Sequence, residues 1–152
     1  MKQIKVDIVD LKKNLLYLEQ YIELRNSYAS TLLTDKVTKG STTKWILNDS
    51  IHIKIAVYEK TLLGVVILYL DKDNEVSIFT KEQNKGLGTA LLQKIENEAL
   101  AKQLTHLNSW IEDSNEASKA LFLKQNYSIL KREFKIYNNI NYAGSIFQKK
   151  LY

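Results

Sequence analysis

Gln83-Asn84-Lys85-Gly86-Leu87-Gly88 joins a short apolar run, Val76-Ser77-Ile78-Phe79, to a stretch with helical periodicity. The run is of the length and composition of a strand. The stretch that follows predicts a helix because its apolar residues recur at helical spacing; they are Leu87, Leu91, Ile95 and Ala99. The order along the chain is therefore strand, glycine-containing turn, helix.

The turn between this strand and helix is suited to an anion. The first N–H groups of a helix have no partner within the helix, and the macrodipole adds partial positive charge there. Glycine at positions 86 and 88, two of the five glycines in the chain, lets a ligand approach the backbone closely. We therefore predict a phosphate-binding turn. The alternative is that both glycines only shape the turn.

Composition limits the possible class of protein. The 152 residues predict a single domain over 1–152 with its own hydrophobic core. Cysteine is absent from the sequence, which excludes disulfides, a thiolate nucleophile and cysteine-based metal sites. The longest apolar run, Leu62 to Leu70, is well short of the ~20 residues that span a bilayer. Together with an N-terminal stretch unlike a signal peptide, this predicts a cytoplasmic protein without a membrane partner.

The chain is basic, with a formal net charge of +5. A basic balance is compatible with a nucleic acid, an anionic cofactor or an ordinary solvated surface. Its lysines are scattered, and Arg25 and Arg132 are the only arginines. Because arginine is the commonest base-reading side chain, nucleic-acid binding is the least favoured of these alternatives.

The rest of the chain alternates between strand-like and helix-like patterns. Residues 34–44 read as a polar loop, in which Ser41 either caps a short helix through 45–47 or precedes a strand. A mixed α+β domain is the fold that this order predicts. The predicted strands are 4–9, 51–57, 62–70, 76–79, 107–111, 129–136 and 143–151, and the predicted helices are 11–22, 87–101 and 115–125.

A second motif follows the glycine turn in the chain. It reads Asn115-Glu116-Ala117-Ser118-Lys119-Ala120-Leu121-Phe122-Leu123-Lys124-Gln125-Asn126-Tyr127. With the turn before it, this order resembles the GNAT superfamily of N-acetyltransferases. The family turn, Arg/Gln-x-x-Gly-x-Gly/Ala, is matched in full by Gln83, Gly86 and Gly88. The family helix, Asn-x-x-Ala-x-x-Leu-Tyr-x-x-x-Gly-Phe, is matched at Asn115 and Leu121 and departs from the pattern at Ser118, Phe122, Asn126 and Tyr127.

The resemblance implies a three-layer fold with a central, mostly antiparallel mixed sheet of about six to seven strands flanked by helices. It implies transfer of an acetyl group from acetyl-CoA to a primary amine of a small molecule or peptide, without a metal. A homodimer is compatible with the terminal strands, because exposed strand edges can pair between subunits.

The resemblance also implies which residues hold acetyl-CoA. The pyrophosphate would lie on the turn, the pantetheine arm would run beside strand 76–79, and Asn115 would orient the pantetheine or the acyl group. The implied cofactor-binding residues are Ile78, Phe79, Thr80, Gln83, Asn84, Lys85, Gly86, Leu87, Gly88, Thr89, Asn115, Leu121, Phe122 and Lys124.

Catalysis without cysteine requires direct attack of the amine on the thioester. Glu75 is the first candidate for the base that takes the amine proton, and Glu112 and Asp113 are the second. Phe122 stands where the family has a tyrosine, so it has no hydroxyl with which to protonate the leaving thiolate. Tyr127 is the candidate for that role, with Tyr137 and Tyr142 as alternatives.

Phe122 also raises an alternative function, a catalytically impaired acyl-CoA-binding sensor or interaction module. Of the remaining candidates, His52 and His106 are predicted to be structural because no carboxylate spacing around them suggests a metal. Trp45 and Trp110 either line an acceptor pocket or belong to the core.

Overall fold

The computed structural model describes residues 6–81 and 86–152. Within these ranges it contains seven strands and five α-helices. The strands are β1 (Asp7–Asp10), β2 (Ile51–Tyr58), β3 (Thr61–Tyr69), β4 (Glu75–Thr80), β5 (His106–Glu112), β6 (Ser128–Tyr137) and β7 (Ile140–Lys150). The helices are α1 (Leu18–Ser27), α2 (Ala29–Leu32), α3 (Lys39–Trp45), α4 (Leu87–Ala101) and α5 (Glu116–Lys124), and short 3-10 turns cover Leu11–Lys13, Leu15–Tyr17 and Leu70–Lys72.

The strands form one mixed sheet in the order β1-β2-β3-β4-β5-β7-β6. Every neighbouring pair is antiparallel except β4 and β5, which are parallel because α4 carries the chain back between them. The predicted fold class, a mostly antiparallel mixed sheet of six to seven strands flanked by helices, is confirmed.

Helices cover both faces of the sheet. One apolar cluster lies on the α1–α3 face and includes Tyr21, Ile67 and Phe79. The other lies on the α4 face and includes Leu91 and Leu107. Strand β3 contributes alternate residues to the two clusters, which explains why its apolar run is nearly continuous. None of the helices in the described ranges is both long enough and apolar enough to cross a bilayer.

The predicted helix over 11–22 is only partly correct. Asn14 adopts φ −139° and ψ 59°, outside the helical region, and its side chain donates a hydrogen bond to the carbonyl of Asp10. The chain therefore forms two 3-10 turns before α1 begins at Leu18. Leu15 is consequently 55% exposed rather than part of a buried stripe. Asparagine competes for backbone hydrogen bonds in this way, which disfavours an uninterrupted helix.

The predicted loop over 34–44 is wrong in its second half, where α3 begins at Lys39. Thr38 caps this helix: its side chain accepts from the N–H of Ser41, and the Ser41 side chain accepts from the N–H of Thr38. Ser41 is therefore the third helical residue rather than the cap. This reciprocal arrangement satisfies two otherwise unpaired N–H groups, so a polar sequence still forms a helix.

Candidate active site

Strands β4 and β5 meet at only one end. Glu75 pairs with Asn108, and the Ser109 hydroxyl donates to the carbonyl of Val76 at 2.9 Å. Beyond this point β4 continues beside β3 alone, while β5 continues beside β7. The two strands therefore diverge toward their C-terminal ends and leave an opening in the middle of the sheet.

A cavity of about 990 Å³ occupies this opening. Its walls come from β4 and β5, from the first turn of α4 and from α5, and it extends to the C-terminal part of α1 and to α2. Its size is that of a pocket for a ligand of cofactor dimensions.

The edge of β4 presents backbone groups to the cavity. The carbonyl of Val76 accepts from Ser109, and the carbonyl of Thr80 accepts from the Tyr28 hydroxyl. Both carbonyls therefore point away from β3. Because backbone groups alternate along a strand, those of Ile78 face the same way, toward the opening. An extended ligand lying beside β4 can pair with them as an added strand would.

The helix α4 begins at the cavity with Gly86 as its N-cap. Gly86 has φ +74°, a left-handed conformation that glycine adopts without strain, and no described atom lies within 4 Å of the position of a Cβ at this residue. A Cβ at Gly88 would instead lie 3.0 Å from Cδ2 of Leu121. Gly86 thus suits the left-handed backbone turn, whereas Gly88 lies where α4 packs closely on Leu121 of α5.

The helix α5 forms the opposite wall of the cavity. Asn115 is its N-cap, and the Asn115 side chain accepts from the N–H of Ser118 at 3.2 Å. Phe122 is buried and packs edge-on against Tyr127, with ring centroids 4.8 Å apart. Asn126 has φ +71°, as expected where the family pattern has glycine.

Most of the predicted cofactor-binding residues line this one cavity. They come from three separate elements, β4, α4 and α5. Gln83, Asn84 and Lys85 lie outside the described residues. Those that line the cavity are Ile78, Phe79, Thr80, Gly86, Leu87, Gly88, Thr89, Asn115, Leu121, Phe122 and Lys124.

Glu75 also lines the cavity, at the end of β4 opposite to the helix α4. Its Oε1 lies 3.9 Å from Nζ of Lys135, and it stands beside Tyr69 in the adjoining strand. Burial, and then the negative charge of Glu75, raise the pKa of Tyr69 to about 12, so this hydroxyl stays protonated near neutral pH. The carboxylate of Glu75 is thus half-buried beside a cation inside the cavity.

The other two candidate bases, Glu112 and Asp113, lie in different surroundings, and only Glu112 is at the cavity. Asp113 is held by Arg132 through two hydrogen bonds, of 2.5 and 2.7 Å. The bonds from Arg132 hold the pKa of Asp113 below its usual value, which makes it a weaker base than an ordinary carboxylate.

The three candidate tyrosines lie in different surroundings. Tyr127 is buried and is not part of the cavity wall, and its hydroxyl has no hydrogen-bond partner among the described residues. Burial, and secondarily Glu96, raise the pKa of Tyr127. Tyr137 donates to Oδ1 of Asp35 at 2.6 Å, outside this cavity, and that bond raises its pKa. Tyr142 stands opposite Lys135 in the β6–β7 pair.

The sequence of the chain matches the model of the Acetyltransferase (GNAT) family over residues 16–127. This match covers most of the chain and includes the strand, turn and helices that build the cavity. The chain belongs to the GNAT family of acetyltransferases. The resemblance predicted from its two motifs is therefore confirmed.

Solved acetyltransferase structures share the fold over nearly the whole chain. An N-acetyltransferase from Staphylococcus aureus Mu50 is 20% identical, with a TM-score of 0.84 over 98% of this chain and 100% of that one. A ribosomal-protein-alanine N-acetyltransferase from Brucella melitensis is 17% identical, with a TM-score of 0.84 over 97% and 100%. A GNAT phosphinothricin acetyltransferase from Sinorhizobium meliloti, solved in complex with acetyl-CoA, is 13% identical, with a TM-score of 0.83 over 97% and 89%. No curated protein matches the chain in sequence.

The structure of this GNAT chain adds cavity residues that sequence analysis missed. They come from α1 and the residue that follows it, from the end of β3 and the 3-10 turn after it, and from β6, which are distant from the two motifs. No local sequence pattern marks any of them as a cavity residue, although Arg25 is one of only two arginines in the sequence. These residues are Arg25, Tyr28, Tyr69, Lys72 and Lys135.

The two tryptophans of this GNAT chain have different positions. Trp110 lines the cavity, and its Nε1 donates to the carbonyl of Glu133 at 2.8 Å. Trp45 packs on the apolar cluster of the α1–α3 face and stacks on Tyr21. Each tryptophan was predicted either to line a pocket or to belong to the core. Trp110 lines the cavity, and Trp45 belongs to the core.

Proposed function

We propose that this chain is an N-acetyltransferase that moves the acetyl group of acetyl-CoA directly to a primary amine. The observation that carries the proposal is the cavity itself. It joins the outward-facing edge of β4 and the N-terminus of α4 to the carboxylate of Glu75. A thioester ligand that reaches from the helix to this carboxylate would meet an amine that enters at the other end.

The residues of the cavity fit coenzyme A. The first N–H groups of α4, from Leu87 to Thr89, suit the pyrophosphate because they lack partners within the helix. The edge of β4 at Ile78 suits the amide groups of the pantetheine arm. Leu121 and Phe122 offer apolar surface, and Lys124 offers a cation for a phosphate. The acetyl-CoA complex of the Sinorhizobium meliloti relative supports the same ligand.

Bound acetyl-CoA supplies an activated acyl group, which the amine nitrogen attacks so that the C–S bond breaks and an amide forms. Glu75 accepts a proton from the amine, which must be neutral to attack. A backbone N–H of β4 that faces the cavity stabilises the negative charge that develops on the carbonyl oxygen. Since cysteine is absent, no acyl-enzyme on a thiol takes part.

The side chain at position 122 is phenylalanine, which cannot donate a proton to the departing thiolate. Phe122 is a buried part of the cavity wall. A positioned acid contributes about 10²–10⁴ in rate, and a thiol has a pKa of about 8.5, so water can protonate the thiolate near neutral pH at a reduced rate. Tyr127, the candidate acid of the sequence analysis, does not line the cavity, so we expect no contribution from its hydroxyl, and a test is given below.

The first test is a thermal-shift titration with acetyl-CoA. We expect the ligand to raise the Tm of the wild-type protein, and Gly88→Asp to abolish this increase because a carboxylate would face the phosphate groups. Gly40→Asp is the matched control, since Gly40 is exposed in α3 outside the cavity. Because a Cβ at residue 88 also meets Leu121, Gly88→Ala separates crowding from charge. An unchanged Tm of the wild type with acetyl-CoA would contradict the proposal.

Phe122 favours one alternative, an acyl-CoA-binding sensor without turnover. The two functions differ in the release of free thiol when acetyl-CoA is mixed with a panel of primary amines. The enzyme predicts thiol release that depends on the amine. Tight binding of acetyl-CoA without thiol release for any amine would favour the sensor.

A further inference from the structure

We propose that the acceptor is a small zwitterion, such as a free amino acid, whose anionic group lies within a few bonds of the reacting amine. This inference rests on the proposed function, because it names the substrate of the same cavity. It concerns the part of the cavity around Glu75, which we call the acceptor end. The acceptor end consists of Arg25, Tyr69, Lys72, Glu75, Trp110 and Lys135.

The acceptor end contains three cations. Nζ of Lys135 lies 4.6 Å from the centroid of the Trp110 ring and 3.9 Å from Oε1 of Glu75. Nζ of Lys72 lies 4.7 Å from the centroid of the Tyr69 ring. Arg25 comes from α1, and its Nη1 donates to the carbonyl of Asp35 at 3.2 Å. Together these side chains make this region suitable for an anion.

The phosphates of coenzyme A do not account for these cations. We have placed the phosphates at the N-terminus of α4, which follows the C-terminal end of β4. Glu75 and its cations lie at the other end of that strand, so five residues at about 3.3 Å each separate Glu75 from Thr80, or about 17 Å. A phosphate at α4 is therefore too distant to pair with Lys135. The remaining substrate, the amine, is the ligand with which an anion can enter the acceptor end.

The short distance between Glu75 and Lys135 limits the size of the zwitterion. A substrate amine beside the Glu75 carboxylate and a substrate anion beside the Lys135 ammonium would be separated by only a few bonds. Free amino acids meet this condition, whereas simple alkylamines and the terminal amine of a lysine side chain do not. The rings of Tyr69 and Trp110 provide apolar surface for the substrate side chain.

The experiment compares amines that share a side chain and differ in whether they carry the free carboxylate. L-Methionine is paired with its methyl ester and with 3-(methylthio)propylamine, and L-phenylalanine with its amide and with 2-phenylethylamine. Two quantities are measured: thiol release with acetyl-CoA, and binding of each amine by calorimetry in the presence of coenzyme A. We expect kcat/KM and affinity to be about ten- to a hundredfold higher for the free acids, the range expected for a hydrogen bond between charged groups.

Substitutions test whether Lys135 causes this preference. Lys135→Met should lower kcat/KM for the free acid much more than for the decarboxylated amine, and Lys135→Arg should restore the ratio between the two. Lys131→Met is the matched control, because Lys131 lies on the same strand, is exposed and does not line the cavity. We expect it to leave the ratio unchanged.

The outcomes separate this inference from the proposed function. Equal binding of free acids and their decarboxylated partners would overturn it, as would an equal effect of Lys135→Met on both. A preference for free acids in binding, without thiol release from any amine, would contradict the proposed catalysis and still support the zwitterionic ligand.

Discussion

The ring of Trp110 lies against the backbone of Gly144. A Cβ built at Gly144 would come within 2.5 Å of this ring, closer than real Cβ atoms approach other atoms. The contact joins β5 to β7, and Nζ of Lys135 lies 4.6 Å from the centroid of the same Trp110 ring. A glycine outside both motifs thus positions an aromatic residue of the cavity.

Gly144→Ala should destabilise the protein by about 1–3 kcal/mol, because the added methyl group has to displace the Trp110 ring or the backbone. The free energy of unfolding from urea titrations measures this, and tryptophan fluorescence reports the displacement. Gly40→Ala is the control: its Cβ would meet no atom closer than 4.0 Å, so we expect no loss of stability. A Gly144→Ala protein as stable as the wild type would contradict the prediction.

Gly86→Ala should destabilise the protein by about 1–2 kcal/mol, since alanine is strained at φ +74° although nothing described crowds it. Gly86→Asn should cost less, because asparagine tolerates the left-handed conformation. Urea unfolding without acetyl-CoA measures both. Equal effects of alanine and asparagine would show that backbone strain is not the reason for glycine here.

Glu75→Gln should lower kcat by about 10²–10⁴, the usual contribution of a positioned base. The loss should shrink at high pH, where more of the amine is already neutral. The increase in Tm with acetyl-CoA should persist because Glu75 lies at the opposite end of β4 from the proposed phosphate site. Glu19→Gln, an exposed residue of α1 outside the cavity, is the control. A variant with unchanged kcat would exclude Glu75 as the base.

Tyr127→Phe tests the candidate acid. The Tyr127 hydroxyl is buried without a partner among the described residues, so its removal should leave the free energy of unfolding unchanged or raise it. Because Tyr127 does not line the cavity, we expect kcat to stay within about twofold of the wild type. A fall of a hundredfold or more in kcat, with stability unchanged, would instead identify Tyr127 as the acid.

The Asp113–Arg132 pair should stabilise the protein in a pH-dependent way. Arg132 lowers the pKa of Asp113 below 3.8, so the folded state favours the charged carboxylate. This stability is present above pH 3.8 and is lost as the pH falls through the lowered pKa. The difference in unfolding free energy between wild type and Arg132→Met should therefore be smaller at about pH 2.5 than at pH 7. A difference that does not change with pH would rule out this contribution.

Local sequence pattern was sufficient to predict the elements that form the proposed acetyl-CoA part of the cavity. The strand at 76–79, the helix to Ala101 and the motif helix are all present within a residue or two of their predicted bounds. Their periodicity and end signals lie within a few residues of each other, so the sequence alone carries them. The helix predicted over 11–22 is only partly correct because the Asn14 side chain donates a hydrogen bond to the carbonyl of Asp10. The periodicity of apolar residues does not reveal this bond.

The residues of the acceptor end could be identified only from the tertiary structure. Arg25, Lys72 and Lys135 are far apart in the sequence, and each alone reads as a solvated surface cation. They line one cavity, and Lys135 reaches it because β7 pairs with β5 and so places β6 next to β7 in the sheet.

By itself, the sequence determined the order of strand, glycine turn and helices, and through them the family. Only the tertiary structure decided which side chains line the cavity, which residues lie against Gly88 and Gly144, and that Tyr127 is buried and is not part of the cavity wall. The physical reason is that helix and strand preferences act between near neighbours in the chain. The composition of a cavity depends on strand pairing and packing between residues that the sequence keeps far apart.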